Sequence, residues 1–200
     1  MTFSTSATTS DVTAPLSFRR RGFSAIELLL VCAIVGIFAT LAYPRVNFTQ
    51  FQVDSGARTV RVALQNAERL AVTRRYDVVV SFDQINKRLR ILEDRNNNDA
   101  VDNGERVTYV PLEDGVHFKT PPAGLSGPVN TAVSGSNLKT IDGMPSVAFR
   151  RDGAASTDLE VYLASSKELP NDWRAIQVVQ STGRTNWFRY LSGLWKAESI

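Results

Sequence analysis

FSAIELLLVCAIVGIFATLAY, residues 23–43, is the stretch on which the reading of this chain turns. Its 21 residues hold a single charge, Glu27. At about 1.5 Å per helical residue, such a run reaches across a hydrocarbon core about 30 Å thick. Arg19, Arg20 and Arg21 stand immediately before it, followed by Gly22. Arginines on one flank keep that flank in the cytoplasm, so residues 45–200 are expected on the far side of the membrane. Residues 1–18, MTFSTSATTSDVTAPLSF, are rich in Ser, Thr and Ala without apolar periodicity, and read as disordered or discarded.

Three readings compete for the apolar run. A secretory signal has an apolar core of about 7–15 residues and a small-residue cleavage site. This run is longer, although Ala39-Thr40-Leu41-Ala42 would suit such a cut. A plain single-span anchor is the second reading. Neither accounts for Glu27, because a charge inside a bilayer costs about 2.5–3.5 kcal/mol on insertion scales and is usually kept for a partner. A cut between Gly22 and Phe23 would supply that partner. The new ammonium at Phe23 would lie four residues before Glu27 on one helix face, or opposite it on a staggered neighbouring chain.

The third reading is also where a resemblance enters. Arg21-Gly22-Phe23-Ser24-Ala25-Ile26-Glu27-Leu28-Leu29-Leu30 resembles the class III prepilin signal, a basic leader followed by G-F-T-L-I-E-L-L. Ser24 and Ala25 replace Thr and Leu, and the leader is longer than usual. The resemblance implies cleavage after Gly22 by a prepilin peptidase and N-methylation of Phe23. It also implies that Glu27 neutralises the N-terminus of the adjacent subunit in a helical filament. Pro44 sits where many members of that family kink or loosen the helix.

Beyond Pro44, Val53, Ala57, Val60, Leu64, Ala67 and Ala71 recur at steps of four and three, the signature of one buried helix face. Arg58, Arg61, Arg69, Arg74 and Arg75 occupy the other face. They read as a solvated surface, or as one that meets acidic neighbours or nucleic acid. One long helix over about residues 23–75 is the simplest account. After Tyr76 the period changes to two. Strands are predicted at 77–82 and 88–93 with a hairpin loop at 83–87, and at 107–111, 115–120, 146–150, 159–164, 175–180 and 185–190. Residues 121–143, rich in Gly, Pro, Ser, Thr and Asn, read as a long surface loop. The expected fold is α+β: a long N-terminal helix, half apolar and half amphipathic, packed on an antiparallel sheet or small sandwich. In segments this is a leader over 1–22, an apolar transmembrane or filament-core helix over 23–43, an amphipathic helix over 44–75 and a β-rich head over 76–200.

The strand-rich half is similar to the GspH/FimT family of pilin-like proteins, the minor pseudopilins of type II secretion and minor pilins of type IV pili. In that family a strand often enters an Asp/Asn/Gly-rich turn ending in G-E. Here the stretch from Ile91 to Val107 matches it, with Gly104-Glu105 at its end. The family's C-terminal G-R step is matched by Gly183-Arg184. Within the acidic turn, Asp94, Asn96, Asn98, Asp102 and Glu105 fall at places 1, 3, 5, 9 and 12 of an EF-hand-like calcium loop. Place 6, normally Gly, is Asp99, and no helix is predicted on either flank. The competing reading is a polar β-turn held by Asx conformations.

Composition bounds the chemistry. With one cysteine, Cys32, and one histidine, His117, an internal disulfide, a cysteine-built zinc site and a histidine-dependent triad are excluded or disfavoured. Cys32 reads as a small apolar residue and His117 as an edge histidine in a strand, while Trp173, Trp187 and Trp195 read as packing residues. No phosphate loop, nucleophile elbow or carboxylate pair is present, so no enzymatic activity is expected. Net charge is +3, too small a bias for a nucleic-acid wrapper.

The resemblance implies a structural subunit that primes or caps a pseudopilus or type IV pilus. Its expected partners are other pilins or pseudopilins, the prepilin peptidase and an inner-membrane assembly platform with its ATPase. Before assembly the subunit would wait in the inner membrane with a cytoplasmic N-terminus and a periplasmic head. The alternative is DNA binding, as in some FimT-like minor pilins, through a G-R-x-R turn. Here Asn186 replaces the second arginine, leaving Arg184 with Arg189 nearby, and few phosphate contacts give little affinity. Trp187 is the one obvious base-stacking candidate.

Overall fold

The computed structural model describes residues 23–42, 48–125, 127 and 138–198. The chain divides into two compact units, Met1–Val46 and Asn47–Ile200. In the first, helix α1 spans Ala25–Ala42. Ser24 starts it: its carbonyl accepts the Leu28 N–H at 3.1 Å, and its hydroxyl accepts the Glu27 N–H at 3.2 Å. This is an N-cap with an acid at the third helical position, facing the positive end of the helix dipole.

α1 has 18 residues and rises about 27 Å, less than the 21-residue run predicted to span. Capping by Ser24 takes Phe23 and Ser24 out of the helix, and Tyr43 lies outside the described residues. Among the described residues no helix is long and apolar enough to cross a membrane. Residues 1–22, with Arg19 to Gly22, and residues 43–47, with Pro44, also lie outside the description. The single helix expected over about 23–75 is therefore described as two, α1 and α2.

In the second unit α2 spans Phe48–Arg74 and buries Val53, Gly56, Ala57, Val60, Ala63, Leu64, Ala67 and Ala71. The apolar stripe is the one its spacing predicts, widened by small residues that allow close approach. α2 stops where Arg75 turns left-handed at φ 62°, its N–H still bonded to the Ala71 carbonyl at 2.9 Å. A left-handed residue just past a helix is a common stop, usually glycine.

Among the described residues ten strands follow: β1 Asp77–Asp83, β2 Arg88–Asp94, β3 Arg106–Pro111, β4 Val116–Phe118, β5 Lys139–Ile141, β6 Met144–Phe149, β7 Leu159–Ser165, β8 Arg174–Val178, β9 Thr185–Leu191 and β10 Leu194–Ala197. They form two five-stranded sheets, ordered β3-β2-β1-β6-β5 and β10-β9-β8-β7-β4, with the pairings antiparallel. One face of each sheet shares a core with α2. Val78, Val80, Phe82 and Val147 come from the first sheet, and Val116, Leu159, Val161, Leu163 and Ile176 from the second. Phe82 and Phe118 meet edge to face across the sheets at 5.6 Å. The expected α+β class is thus the one found, in its two-sheet form.

Both sheets are also covered on their other faces. Val79, Leu92 and Ile141 cluster on the first, and Tyr162, Ala164, Trp173 and Ala175 on the second, under Leu125, Phe188, Tyr190 and Trp195. This is why β7 is buried at every position and shows no alternation. Residues 121–143, read as one loop, contain β5 at their end. The hairpin turns Asp142-Gly143 and Ser192-Gly193 have positive φ at all four residues, the geometry that two-residue β-turns require. They attach β5 to β6 and β10 to β9.

Candidate functional site

α1 is defined by what it lacks, a polar face. Ile26, Leu28, Leu29, Leu30, Val31, Ile34, Val35, Ile37 and Phe38 are all exposed, Leu29 by 68% and Phe38 by 66%. At 100° per residue these positions point in every direction around the helix axis. A helix that is apolar all round belongs in a lipid or protein interior, and each such side chain gains about 1.5–3 kcal/mol when fully buried. Glu27 stands one turn into this surface, and Phe23 just before the cap is 79% exposed. Cys32 is a free thiol exposed on the same helix. Gly22, the other half of the expected cleavage site, lies outside the described residues.

In the acidic turn the structure brings all five singled-out side chains together, and they bond to the turn itself. Asp94 accepts the N–H groups of Asn98 and Asp99 at 3.2 and 2.7 Å. Asp102 Oδ2 accepts from the amides of both Asn96 and Asn98 at 2.7 Å, and these bonds hold its carboxyl below the usual range. Glu105 accepts the N–H of Arg95 at 2.9 Å and of Asp102 at 3.2 Å. Asn97 and Asp99 take left-handed φ of 55° and 59°, and Lys139 pairs with Asp99. Among the described residues no group of three or more His, Cys, Asp or Glu is placed to hold a metal ion.

The Gly183-Arg184 step is a close backbone contact. Gly183 has φ 65°, and a Cβ there would lie 2.1 Å from the Gly153 carbonyl oxygen and 3.2 Å from Glu68 Cγ on α2. Arg184 is exposed at the turn. Arg189 is not comparably free: its Nη2 donates to Asp54 at 3.1 Å, and its Nε lies 3.5 Å from Glu198. Asp54 also takes Arg174, whose side chain is 1% exposed and whose Nη1 donates to the carbonyls of Asn171 and Trp173. This knot joins α2 to β8 and β9, and nothing in the spacing of the sequence announces it. His117 lies in β4, where burial, with Lys87 and Lys119 nearby, pushes its imidazole below the usual value. Trp173 and Trp187 are buried, and Trp195 is half-buried with its indole N–H on the Leu125 carbonyl at 3.0 Å.

Arg61 departs from the expected solvated face. Arg58, Arg69, Arg74 and Arg75 are exposed, whereas Arg61 is half-buried with two guanidinium nitrogens covered and unpartnered.

No family model matches the chain. Over 54 residues it is 46% identical to the type IV major pilin protein PilA of Myxococcus xanthus, a match covering 26% of this chain and 24% of that one. The chain thus spans about a quarter of the length of this curated relative. Among solved structures, the minor pseudopilin EpsH from the type 2 secretion system of Vibrio cholerae is 13% identical, with a TM-score of 0.46 over 69% of this chain and 97% of that one. The type IV minor pilin FimU of Pseudomonas aeruginosa is 14% identical, with a TM-score of 0.46 over 73% and 92%. The chain is thus similar in sequence over one segment to a major pilin, and a minor pseudopilin and a minor pilin are among its structural neighbours.

Proposed function

We propose that this chain is a structural subunit of a helical filament, a minor pilin or pseudopilin of the GspH/FimT type, with no catalytic role. The observation that carries the reading is α1: eighteen residues, one charged side chain, and apolar side chains exposed on every side. Such a helix finds its interior either in a bilayer or among copies of similar helices. In this reading the uncut chain waits in the inner membrane with its head in the periplasm. A prepilin peptidase cuts after Gly22, Phe23 is N-methylated, and Glu27 meets the Phe23 ammonium of a neighbouring subunit. An inner-membrane platform then draws the subunit into the filament, where it primes or caps the growing end. A carboxylate that is costly in an apolar surface becomes a register mark once an ammonium faces it.

The test is the intact mass and N-terminal chemistry of the membrane-extracted protein. A mature chain beginning at N-methyl-Phe23 is expected. A chain that keeps Met1, or that starts near Tyr43, overturns the proposal and leaves a simply anchored or secreted β-rich domain.

A further inference from the structure

Among the described residues the first sheet ends on β3. Leu112 donates its N–H to the Lys87 carbonyl at 2.9 Å, in the register that pairs Val110 with Leu89, Thr108 with Ile91 and Arg106 with Glu93. Hydrogen-bonded pairs alternate with non-bonded ones in an antiparallel ladder, so Arg106, Thr108 and Val110 bond to β2. Val107 and Tyr109 turn their backbone groups to the open side. Such an edge is a template for a further strand, and proteins commonly blunt it with charge, proline or a bulge. Here Arg106 and Pro111 stand at the two ends, and the four residues between them carry no charge. Tyr109 is 49% exposed.

Beside this edge runs a groove of about 610 Å³ between α2 and the β2–β3 pair. Thr59, Val62, Ala63 and Leu70 line it from the helix, and Ile91 and Val110 from the sheet. Val62 is apolar yet 52% exposed. Thr108 faces the same groove, whereas Val107 packs with Val79 and Leu92 on the opposite face. A strand laid about 4.8 Å from β3 would therefore send every second side chain over the groove. Arg58, Arg74 and Arg106 also line it, against one carboxylate, Glu93. That carboxylate already lies 3.7 Å from Arg106 and accepts the Tyr76 hydroxyl. The charge missing from the groove is negative.

We propose that the β3 edge takes up an extended segment of another protein, added antiparallel like the other strands of the sheet. Its apolar side chains face the groove at alternate positions, and its carboxylates meet Arg58 and Arg74. Main-chain bonds to Val107 and Tyr109 give the affinity, and the alternate side chains give the selectivity. A second copy of this chain lacks the charge. Among the described residues its other sheet edges, β4, β5 and β10, carry His117, Lys139 and Lys196 and no acid. Glu198, just past β10, is held by Arg189 at 3.5 Å. The proposal is independent of the filament reading, since no residue of α1 takes part.

The experiment uses the full chain in detergent micelles and a fluorescein-labelled, amidated heptapeptide, ETVTVTE, followed by fluorescence anisotropy. Its glutamates and valines share one face of a strand, and its threonines the other. Saturable binding with a Kd below about 1 mM is expected, and a peptide with lysines in place of the glutamates should bind about tenfold more weakly or worse. Residues opposite each other in an antiparallel pair share a face, so the threonine amides are the ones that bond to β3. N-methylation of the threonines is therefore expected to abolish binding, and N-methylation of the valines to leave it. Tyr109→Pro removes a free donor of the edge, and Val62→Asp places a carboxylate in the groove. Each is expected to weaken binding about tenfold or more, and Val62→Asp, on the helix surface, serves if Tyr109→Pro does not fold. No saturable binding, equal binding of the lysine peptide, equal loss on methylating either set of amides, or unchanged binding in both variants would overturn the proposal. It also falls if copies of the chain associate and Val62→Asp separates them, because the occupant would then be a second copy.

Discussion

The two helices make opposite use of the same side chains. α1 shows leucine, isoleucine and valine exposed on every side. α2 confines its apolar residues to one stripe and turns Arg58, Arg69, Arg74 and Arg75 outward. Hydrophobic content already separates the two, and angular distribution says what each surface can meet. A stripe specifies one partner surface within the same chain, whereas an all-round apolar surface specifies an environment. The difference assigns stability to α2 and, in the filament reading proposed above, assembly to α1.

The same substitution in both helices tests this division most severely. Leu64→Ala removes a fully buried side chain of α2 and is expected to destabilise the unit 47–200 by about 3–5 kcal/mol. Leu29→Ala is expected to change that unfolding free energy by no more than about 0.5 kcal/mol. Denaturant unfolding followed by near-ultraviolet circular dichroism suits both variants, because all three tryptophans lie within 47–200. Equal effects would break the comparison.

Polar contacts of α2 sharpen it further. Asp54→Ala leaves the buried Arg174 without its carboxylate and is expected to cost about 3 kcal/mol by the same measurement. A loss confined to surface-pair size would mean that the α2 stripe acts without this knot. Gly183→Ala comes next. Its left-handed φ and the Gly153 carbonyl leave no room for a Cβ, and a loss of about 2 kcal/mol is expected from thermal unfolding. A neutral result would show that the turn can lift away from α2.

The smallest effect belongs to the turn of the β1–β2 hairpin. Burial alone would raise the Asp83 carboxyl, but the hydrogen bonds of Asn86 and Arg88 outweigh it and hold the group below its usual value. A depressed carboxylate contributes stability above its unfolded value and loses that contribution as pH falls through the folded one. Asp83→Asn is therefore expected to be less stable than wild type by under about 1 kcal/mol at neutral pH. The two should converge in acid, as urea midpoints measured across the acid limb would show.

Much of the architecture was legible because it follows from local period. The alternation in DVVVSF and RLRILE became β1 and β2, and the four-and-three spacing from Val53 to Ala71 became the buried face of α2. β5 and β10 were harder to read because each is short. Their signals were the turn dipeptides Asp142-Gly143 and Ser192-Gly193 rather than any apolar run. Ser24-Ala25-Ile26-Glu27 likewise holds a capping signal beneath the charge pattern that first draws attention to Glu27.

What the sequence determined by itself is therefore the partition of the chain: an apolar helix, a striped helix and a body of alternating strands. Each depends on neighbours a few residues apart. Only the tertiary structure decided that Asp54 would hold Arg174 and Arg189, that Gly183 would press against Gly153, and that Arg61 would be half-buried while its neighbours on the helix stay exposed. Those contacts join residues as much as 135 positions apart, and they exist because two sheets and a helix close on one core.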